Sequence, residues 1–353
     1  MPLRNRQWIY RTRPEGAIGR EHYELVETAF DPTPAAQELI VRGHFISVDP
    51  YMRIQQAARN TWEEPHPLGI VQRAGAVAQV VAAGAEVTGF APGDFVLTYT
   101  GWQELARCHP LEATKLDPDL APVSTALGVL GMPGRIAWFG LMEAGRPKPG
   151  ETVLVSGAAG AVGSLVVQFA KRAGCRVVGI AGGEKKCKFL RERLGADEAV
   201  DYRRFGPDEW RKFSAELARI CGGESRVDVY FDNVGGLTSD AVLPQLALRA
   251  RVVICGQISQ YGGGLDEPAP GPRFLQHLLF QRATIQGVLA RDFTPRMTEY
   301  VRLAAPWVRS GELVFEETMV DGFEQLPRAL ERLFFGESRG KMLVRVARDS
   351  DPC

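Results

Sequence analysis

Thr152-Val-Leu-Val-Ser156-Gly-Ala-Ala-Gly160-Ala-Val-Gly163-Ser-Leu-Val-Val-Gln-Phe-Ala170 carries no charged side chain along its whole length. It reads as strand, glycine turn and helix. Thr152–Ser156 is a β-branched apolar run suited to a parallel strand covered on both faces, and Ser164–Ala173 has helical spacing. Between them, Ala158-x-Gly160-x-x-Gly163 matches the dinucleotide fingerprint with alanine in its first glycine position. Such a turn aims backbone N–H groups and the positive end of a helix dipole at a pyrophosphate. An uncharged run close to the ~20 residues of a bilayer core is also to be weighed as a membrane span. Its glycine and alanine centre, the Pro149-Gly150-Glu151 turn before it and the lack of a second span set that reading aside. A glycine turn alone also fits a tight strand-to-helix junction, so the surrounding sequence decides.

That surrounding sequence is of ordinary globular composition. With 353 residues, 45% hydrophobic and 24% charged, the chain is long enough for roughly two domains, each with a full core. Lys plus Arg equals Asp plus Glu at 42 each, so no net field draws it to nucleic acid or to an anionic membrane, and small molecules are the expected partners. The segment Met1-Pro2-Leu3-Arg4-Asn5-Arg6 is not followed by an apolar signal region, which points to the cytoplasm. The six cysteines (108, 175, 187, 221, 255, 353) form no Cys-x-x-Cys pair and read as free thiols. Cys108-His109 lacks further ligands at zinc-like spacing.

Residues 1 to about 125 read as β-rich, with short apolar runs (Leu39–Val41, Val77–Val81, Phe95–Leu97) separated by glycine and proline turns. From Thr152 onward strands and helices alternate, the pattern of a parallel sheet built from βαβ units. The expected strands are Thr152–Ser156, Arg176–Ile180, Ala199–Tyr202, Val227–Phe231, Arg251–Cys255 and Thr284–Val288. Gly174 and Gly195 stand where left-handed helix C-caps are needed. The cluster from Gly262-Gly263-Gly264 to Pro272 is expected to be a mobile loop at the C-terminal edge of the sheet, where ligand crevices form. Further on, Leu313-Val314, Val320 and Met342–Val346 read as strands around a helix at Phe323–Phe335. Periodicity alone leaves open whether these complete the second domain or return to the first.

An NAD-type fingerprint places an acid ~20 residues beyond the glycines to accept the ribose 2′-hydroxyl. Here Arg176-Val-Val-Gly-Ile180 ends in Ala181-Gly182-Gly183, and Lys185-Lys186 open the next helix. Two ammonium groups beside a 2′-phosphate would make charge-assisted hydrogen bonds of roughly 1.5–3 kcal/mol each, which favours NADPH. Two alternatives stay open at this point: a solvated lysine face, and Glu184 serving as a displaced acid. A short-chain dehydrogenase would need Tyr-x-x-x-Lys, and no tyrosine has lysine four residues on. A methyltransferase using S-adenosylmethionine would also want the missing acid, and is the runner-up enzyme class.

Five motifs stand in order, the glycine turn being the third: Asp49-Pro50-Tyr51-Met52-Arg53, Gly131-Met132-Pro133-Gly134, Ala158–Ser164, Phe231-Asp232-Asn233-Val234-Gly235-Gly236 and Cys255-Gly256-Gln257-Ile258-Ser259-Gln260-Tyr261. With these, the chain resembles the zinc-free medium-chain dehydrogenases/reductases, in the branch of prostaglandin reductases and alkenal/one oxidoreductases, from about residue 5 to 347. The resemblance implies an α/β fold: a doubly wound Rossmann sheet plus a β-rich GroES-like domain. Its divisions would be a catalytic domain at 1–127, an NADPH-binding domain at 128–312 and a C-terminal segment at 313–353 returning to the first. It further implies a homodimer.

Residue by residue, the same resemblance implies Gly160, Ala161, Val162 and Gly163 on the pyrophosphate, Lys186 on the 2′-phosphate and Tyr202 near the adenosine half. Asn233 and Cys255, Gly256, Ile258, Ser259 and Tyr261 would follow the ribose and nicotinamide, with Val288, Leu289 and Ala290 against the ring. Two positions depart from the family pattern. Ser338 stands where asparagine is frequent, on the nicotinamide side, and Phe280 where some members have tyrosine. The Gly-His-Glu of zinc-dependent relatives is not reproduced at His66-Pro67-Leu68-Gly69, so no metal is implied.

Without a metal to polarise an alcohol, such a site suits hydride addition to the β-carbon of an α,β-unsaturated carbonyl, whose own carbonyl is the electron sink. Tyr261 is the first candidate to hold the enolate oxygen or relay a proton, and Tyr51 the second. Met132 joins these two tyrosines as a substrate-pocket residue. The bland readings are a tyrosine capping the glycine loop, a tyrosine packing a domain seam and a methionine filling space. Quinone reduction on the same fold, or NADPH binding without turnover, are the competing functions.

Overall fold

The computed structural model describes residues 3–58, 61–263, 265 and 267–346. Met1, Pro2, Gly264 and Cys353 lie outside them. Two compact units emerge: Met1–Leu127 with Glu317–Cys353, and Gly128–Glu316. Among the described residues no helix is long and apolar enough to cross a membrane.

The unit Gly128–Glu316 is built on six parallel strands in the order Glu198–Asp201, Arg176–Ala181, Thr152–Val155, Val227–Asp232, Leu246–Ile254, Thr284–Gly287. The chain steps outward from Thr152–Val155 in one direction, then returns and steps outward in the other. This reversal makes the gap between the first and fourth strands the topological switch point, where open α/β sheets place their ligands. All four residues of Thr152–Val155 are buried, which is why that strand tolerates no polar alternation. Helices Gly163–Arg172, Glu184–Glu192 and Trp210–Cys221 supply the crossovers, and Gly174, Gly195 and Gly222 end them at φ of 78°, 76° and 84°. The fifth strand begins at Leu246, five residues ahead of its apolar sequence signal, because Leu248-Arg249 expose a polar-flanked start that periodicity does not mark.

In the other unit, Leu3–Tyr10 pairs antiparallel with Tyr23–Phe30. A seven-stranded sheet is centred on Leu39–Ser47, which pairs with Ala76–Ala83, with Leu105–Cys108 and, from the far end of the chain, with Lys341–Arg345. Glu317–Asp321 adds outside Lys341–Arg345 in parallel. The question left open by periodicity is thereby answered by backbone pairing. Leu313-Val314, expected as a strand, is irregular. Gln168 instead ties that segment down, its Nε2 donating to Val314 O at 2.8 Å and its Oε1 accepting Val314 N at 2.8 Å. Trp8, Tyr10, Tyr23, Trp102 and Phe323 centre this unit's core.

Candidate functional site

The glycine turn owes its shape to contacts no side chain could share. A Cβ at position 163 would fall 2.3 Å from Gly157 O and 2.8 Å from Ala158 Cα, so only glycine lets helix Gly163–Arg172 begin against the strand end. Gly157 turns the chain at φ 57°. Alanine in the first glycine position is explained by its neighbour: a Cβ at 179 would lie 3.1 Å from the Ala158 methyl, and Gly179 removes it. Ala158 N then donates to Ile180 O at 3.0 Å, clamping the turn to the second strand. Gly160, Ala161 and Val162 thus sit at the positive end of a helix, as a pyrophosphate requires.

At the end of the second strand, Gly182 lies in a cradle. A Cβ there would meet Arg203 Nε at 2.9 Å and the Tyr202 ring at 3.0 Å. The nearby acid, Asp201, is committed to backbone: its Oδ1 accepts Gly183 N at 2.8 Å and Arg203 N at 3.0 Å. Glu184, the alternative ribose acid, accepts from Arg191 Nη2 at 2.6 Å on the surface. Lys185 is exposed, but Lys186 is half-buried, and its pKa is lowered first by burial and then by the charge of Arg203. Two cations and a phenol therefore converge around a glycine, an arrangement that an added dianion relieves. Arg203 was not among the sequence candidates. Its signal was present in Tyr202-Arg203-Arg204 directly after the third strand.

The far side of the switch point is organised by Asp232, which is 1% exposed. Its Oδ1 accepts Ser156 Oγ at 2.7 Å, Val234 N at 3.0 Å and Gly235 N at 3.1 Å, and its Oδ2 accepts Ser239 Oγ. Asn233 is locked onto the first strand, donating from N to Ser156 Oγ (2.8 Å) and from Nδ2 to Ser156 O (2.7 Å). The following carbonyls hold the fifth-strand loop: Asn233 O accepts Ile258 N and Val234 O accepts Ser259 N and, at 2.6 Å, Ser259 Oγ. Cys255 N and Gly256 N donate to Asp232 O. The structure therefore brings Asn233, Cys255, Gly256, Ile258, Ser259 and Tyr261 onto one stitched rim. Asp232 and Ser156, which do the stitching, carry no motif of their own beyond Asp-Asn-Val-Gly-Gly.

Tyr261 closes the rim. Its hydroxyl oxygen accepts Gln257 N at 2.8 Å, so the capping role is real, yet its own proton is still available for donation. Burial pushes its pKa up to about 12, which keeps that proton in place at neutral pH. The Cys255 thiol is likewise pushed up to about 12 by burial and by Asp232, which keeps it protonated at neutral pH. Val288 is buried, with its N bonded to Ile254 O at 3.0 Å, and Leu289 is 38% exposed beside Ala290. Met132 opens helix Met132–Phe139 in the same unit.

Tyr51 and Ser338 belong to the other unit. Tyr51 heads the short helix Tyr51–Gln55, and its hydroxyl lies 3.1 Å from that of Tyr99. Ser338 is buried just ahead of strand Lys341–Arg345. Buried Lys341 anchors the approach to Tyr51: Nζ donates to Val48 O at 2.9 Å and to Asp49 Oδ1 at 2.6 Å. Among the described residues, no group of three or more His, Cys, Asp or Glu is placed to hold a metal ion.

Glycine turn, parallel sheet of order 3-2-1-4-5-6 and basic cradle define a dinucleotide-binding α/β protein. Residues 6–116 match the family described as the N-terminal domain of oxidoreductase, and residues 161–306 that described as zinc-binding dehydrogenase. The chain is 37% identical to the NADPH-dependent curcumin reductase of Escherichia coli, covering 98% of each sequence, and 37% identical to the 2-alkenal reductase (NADP(+)-dependent) of Nicotiana tabacum, covering 89% of each. The crystal structure of CurA in complex with NADPH from Vibrio vulnificus superposes with a TM-score of 0.88 at 38% identity, over 97% of this chain and 99% of that one. The chain belongs to the medium-chain dehydrogenase/reductase family, among its NADP-dependent alkenal and prostaglandin reductases.

Proposed function

We propose that this protein uses NADPH to reduce the carbon–carbon double bond of α,β-unsaturated aldehydes and ketones. The observation that carries the cofactor is the cradle at Gly182, where Lys186, Tyr202 and Arg203 converge while Asp201 and Glu184 are bound elsewhere. Names among the relatives, a curcumin reductase, a 2-alkenal reductase and prostaglandin reductases, support the substrate class.

When bound, NADPH supplies a hydride to the substrate β-carbon. The protein's task is then to bind and orient the cofactor and to stabilise the enolate. Gly160, Ala161, Val162 and Gly163 receive the pyrophosphate, and Lys186, Tyr202 and Arg203 the 2′-phosphate. Asn233 and the rim from Cys255 to Tyr261 hold the ribose and nicotinamide, with Val288, Leu289, Ala290 and Ser338 on the nicotinamide side. Tyr261, protonated and fixed by Gln257, donates to the enolate oxygen. Tyr51 and Met132 are the substrate-pocket residues that the family resemblance implies.

The test is product analysis with NADPH and a panel of alkenals and enones. Saturated carbonyl products are expected; an allylic alcohol, or consumption of quinones alone, overturns the proposal.

We further propose that two copies pair across the sheet edge at Thr284–Gly287. All four residues of that strand are exposed, its outer hydrogen-bonding edge has no partner strand among the described residues, and Phe274, Leu275, Leu279, Phe280, Ile285 and Leu289 present apolar surface nearby. Light scattering at the size of a dimer, reduced to a monomer by Ile285→Glu, is expected; a wild-type monomer refutes it.

A further inference from the structure

Asp232 is a buried charge with neutral partners. Ser156 Oγ, Val234 N, Gly235 N and Ser239 Oγ supply its hydrogen bonds, and behind Ser239 stands the fully buried Tyr230, the two hydroxyls 3.2 Å apart. Among the described residues no Lys, Arg or His is paired with this carboxylate, whereas Lys341 sits on the equally buried Asp49. A carboxylate at this depth ordinarily has a cation beside it. Amide and hydroxyl dipoles solvate the charge of Asp232 but add no net positive charge, so its field extends to the groups around it.

The place of Asp232 in the sheet says where that field is felt. A fold of this kind is made of two mononucleotide-binding halves, and the cradle at Gly182 assigns the adenosine end to the first three strands. The nicotinamide end is left to the second half, which opens with Val227–Asp232. Asp232 is the last residue of that strand, at the carboxyl edge where the ligand crevice lies. Its carbonyl holds Cys255 N at 2.8 Å and Gly256 N at 3.1 Å. Its charge also makes the Cys255 thiol and the Tyr261 phenol harder to ionise, so the negative potential reaches the rim itself.

We propose that Asp232 acts as the electrostatic counter-ion of the nicotinamide end, favouring the cationic oxidised cofactor over the neutral reduced one. This rests on the NADPH reading of the site. NADPH and NADP+ differ by one hydride: a C–H bond of the ring breaks, its electron pair and hydrogen pass to the substrate β-carbon, and the ring is left with one positive charge. The substrate is reduced as the cofactor is oxidised. A fixed negative charge close by stabilises that positive charge as it develops, promotes transfer out of NADPH and holds NADP+ more tightly afterwards. Ser156, Ser239 and the two backbone amides keep the carboxylate in place.

The experiment titrates the protein with NADPH and with NADP+ and reads the ratio of the two Kd values. Asp232→Asn removes the charge and keeps the shape: its amide oxygen accepts from Ser156, Val234 and Gly235, and its amide nitrogen donates to Ser239 Oγ, whose hydroxyl turns to Tyr230. Ser239→Lys keeps Asp232 and sets an ammonium against it from a partly exposed helix position. A unit charge acting across about 10 Å at an effective dielectric of about 20 changes a dissociation constant by about 10-fold, so both variants are expected to raise Kd(NADP+)/Kd(NADPH) by about that factor. Ser239→Ala, which alters no charge, is expected to leave the ratio alone. A purely structural Asp232 would weaken both cofactors together, and a ratio within about 2-fold of wild type in either charge-removing variant overturns the proposal. A wild type that binds neither cofactor overturns the NADPH reading beneath it.

Discussion

Lys341→Met isolates the contact that returns the end of the chain to its beginning. Lys341 is 4% exposed and Asp49 5%, so neither charge is appreciably hydrated. Without the ammonium, Asp49 keeps the Ser47 hydroxyl as its side-chain donor among the described residues, and Val48 O loses the Lys341 donor. An uncompensated buried carboxylate of this kind costs about 3–5 kcal/mol. For a unit of this size 1 kcal/mol corresponds to about 2–4 °C, so the melting transition should fall by about 10 °C. Asp49 O also accepts Met52 N at 3.1 Å, so the helix carrying Tyr51 loosens and kcat falls with stability. The partner experiment is Asp49→Asn combined with Lys341→Met, which removes both charges and should recover most of the loss. Calorimetry on the three variants reads the result. A loss below about 1 kcal/mol in the single variant, or a double variant no better than the single, would refute the argument.

Lys186→Ala and Arg203→Ala should each raise KM for NADPH about 10- to 150-fold, the equivalent of a charge-assisted hydrogen bond, and leave NADH use nearly unchanged; equal effects on both cofactors remove the phosphate role. For Tyr261→Phe we expect kcat to drop about 10²-fold with NADPH affinity within a few-fold, read by steady-state kinetics and cofactor titration. Because the Tyr261 pKa is pushed up to about 12, its donor form persists through neutrality and is lost only as pH rises toward that value; an inflection near pH 7 that vanishes in Tyr261→Phe contradicts this. Gly163→Ala drives a methyl onto Gly157 O, so NADPH binding measured by fluorescence should be lost; a variant that binds normally disproves the close approach.

Much of the second unit was legible because its determinants are local. Gly157 and Gly163 encode backbone positions where a side chain is strained or impossible, and β-branched runs mark strands buried on both faces. Gly174 and Gly195 announced helix ends in the same way. Leu313-Val314 misled because two adjacent apolar residues have no period; Gln168, a residue distant in sequence, decides their conformation.

By itself the sequence determined a parallel dinucleotide sheet with no acid after its second strand, since both are properties of neighbouring residues. Only the tertiary structure decided which charges act together. It spends Asp201 and Glu184 on other partners, brings Arg203 to Lys186, and buries Lys341 against Asp49 across nearly the whole chain. It also sets Tyr99 against Tyr51. The reason is physical: the strength of a charge or hydrogen bond depends on burial and on the groups within a few ångströms, and those neighbours exist only once distant segments have packed.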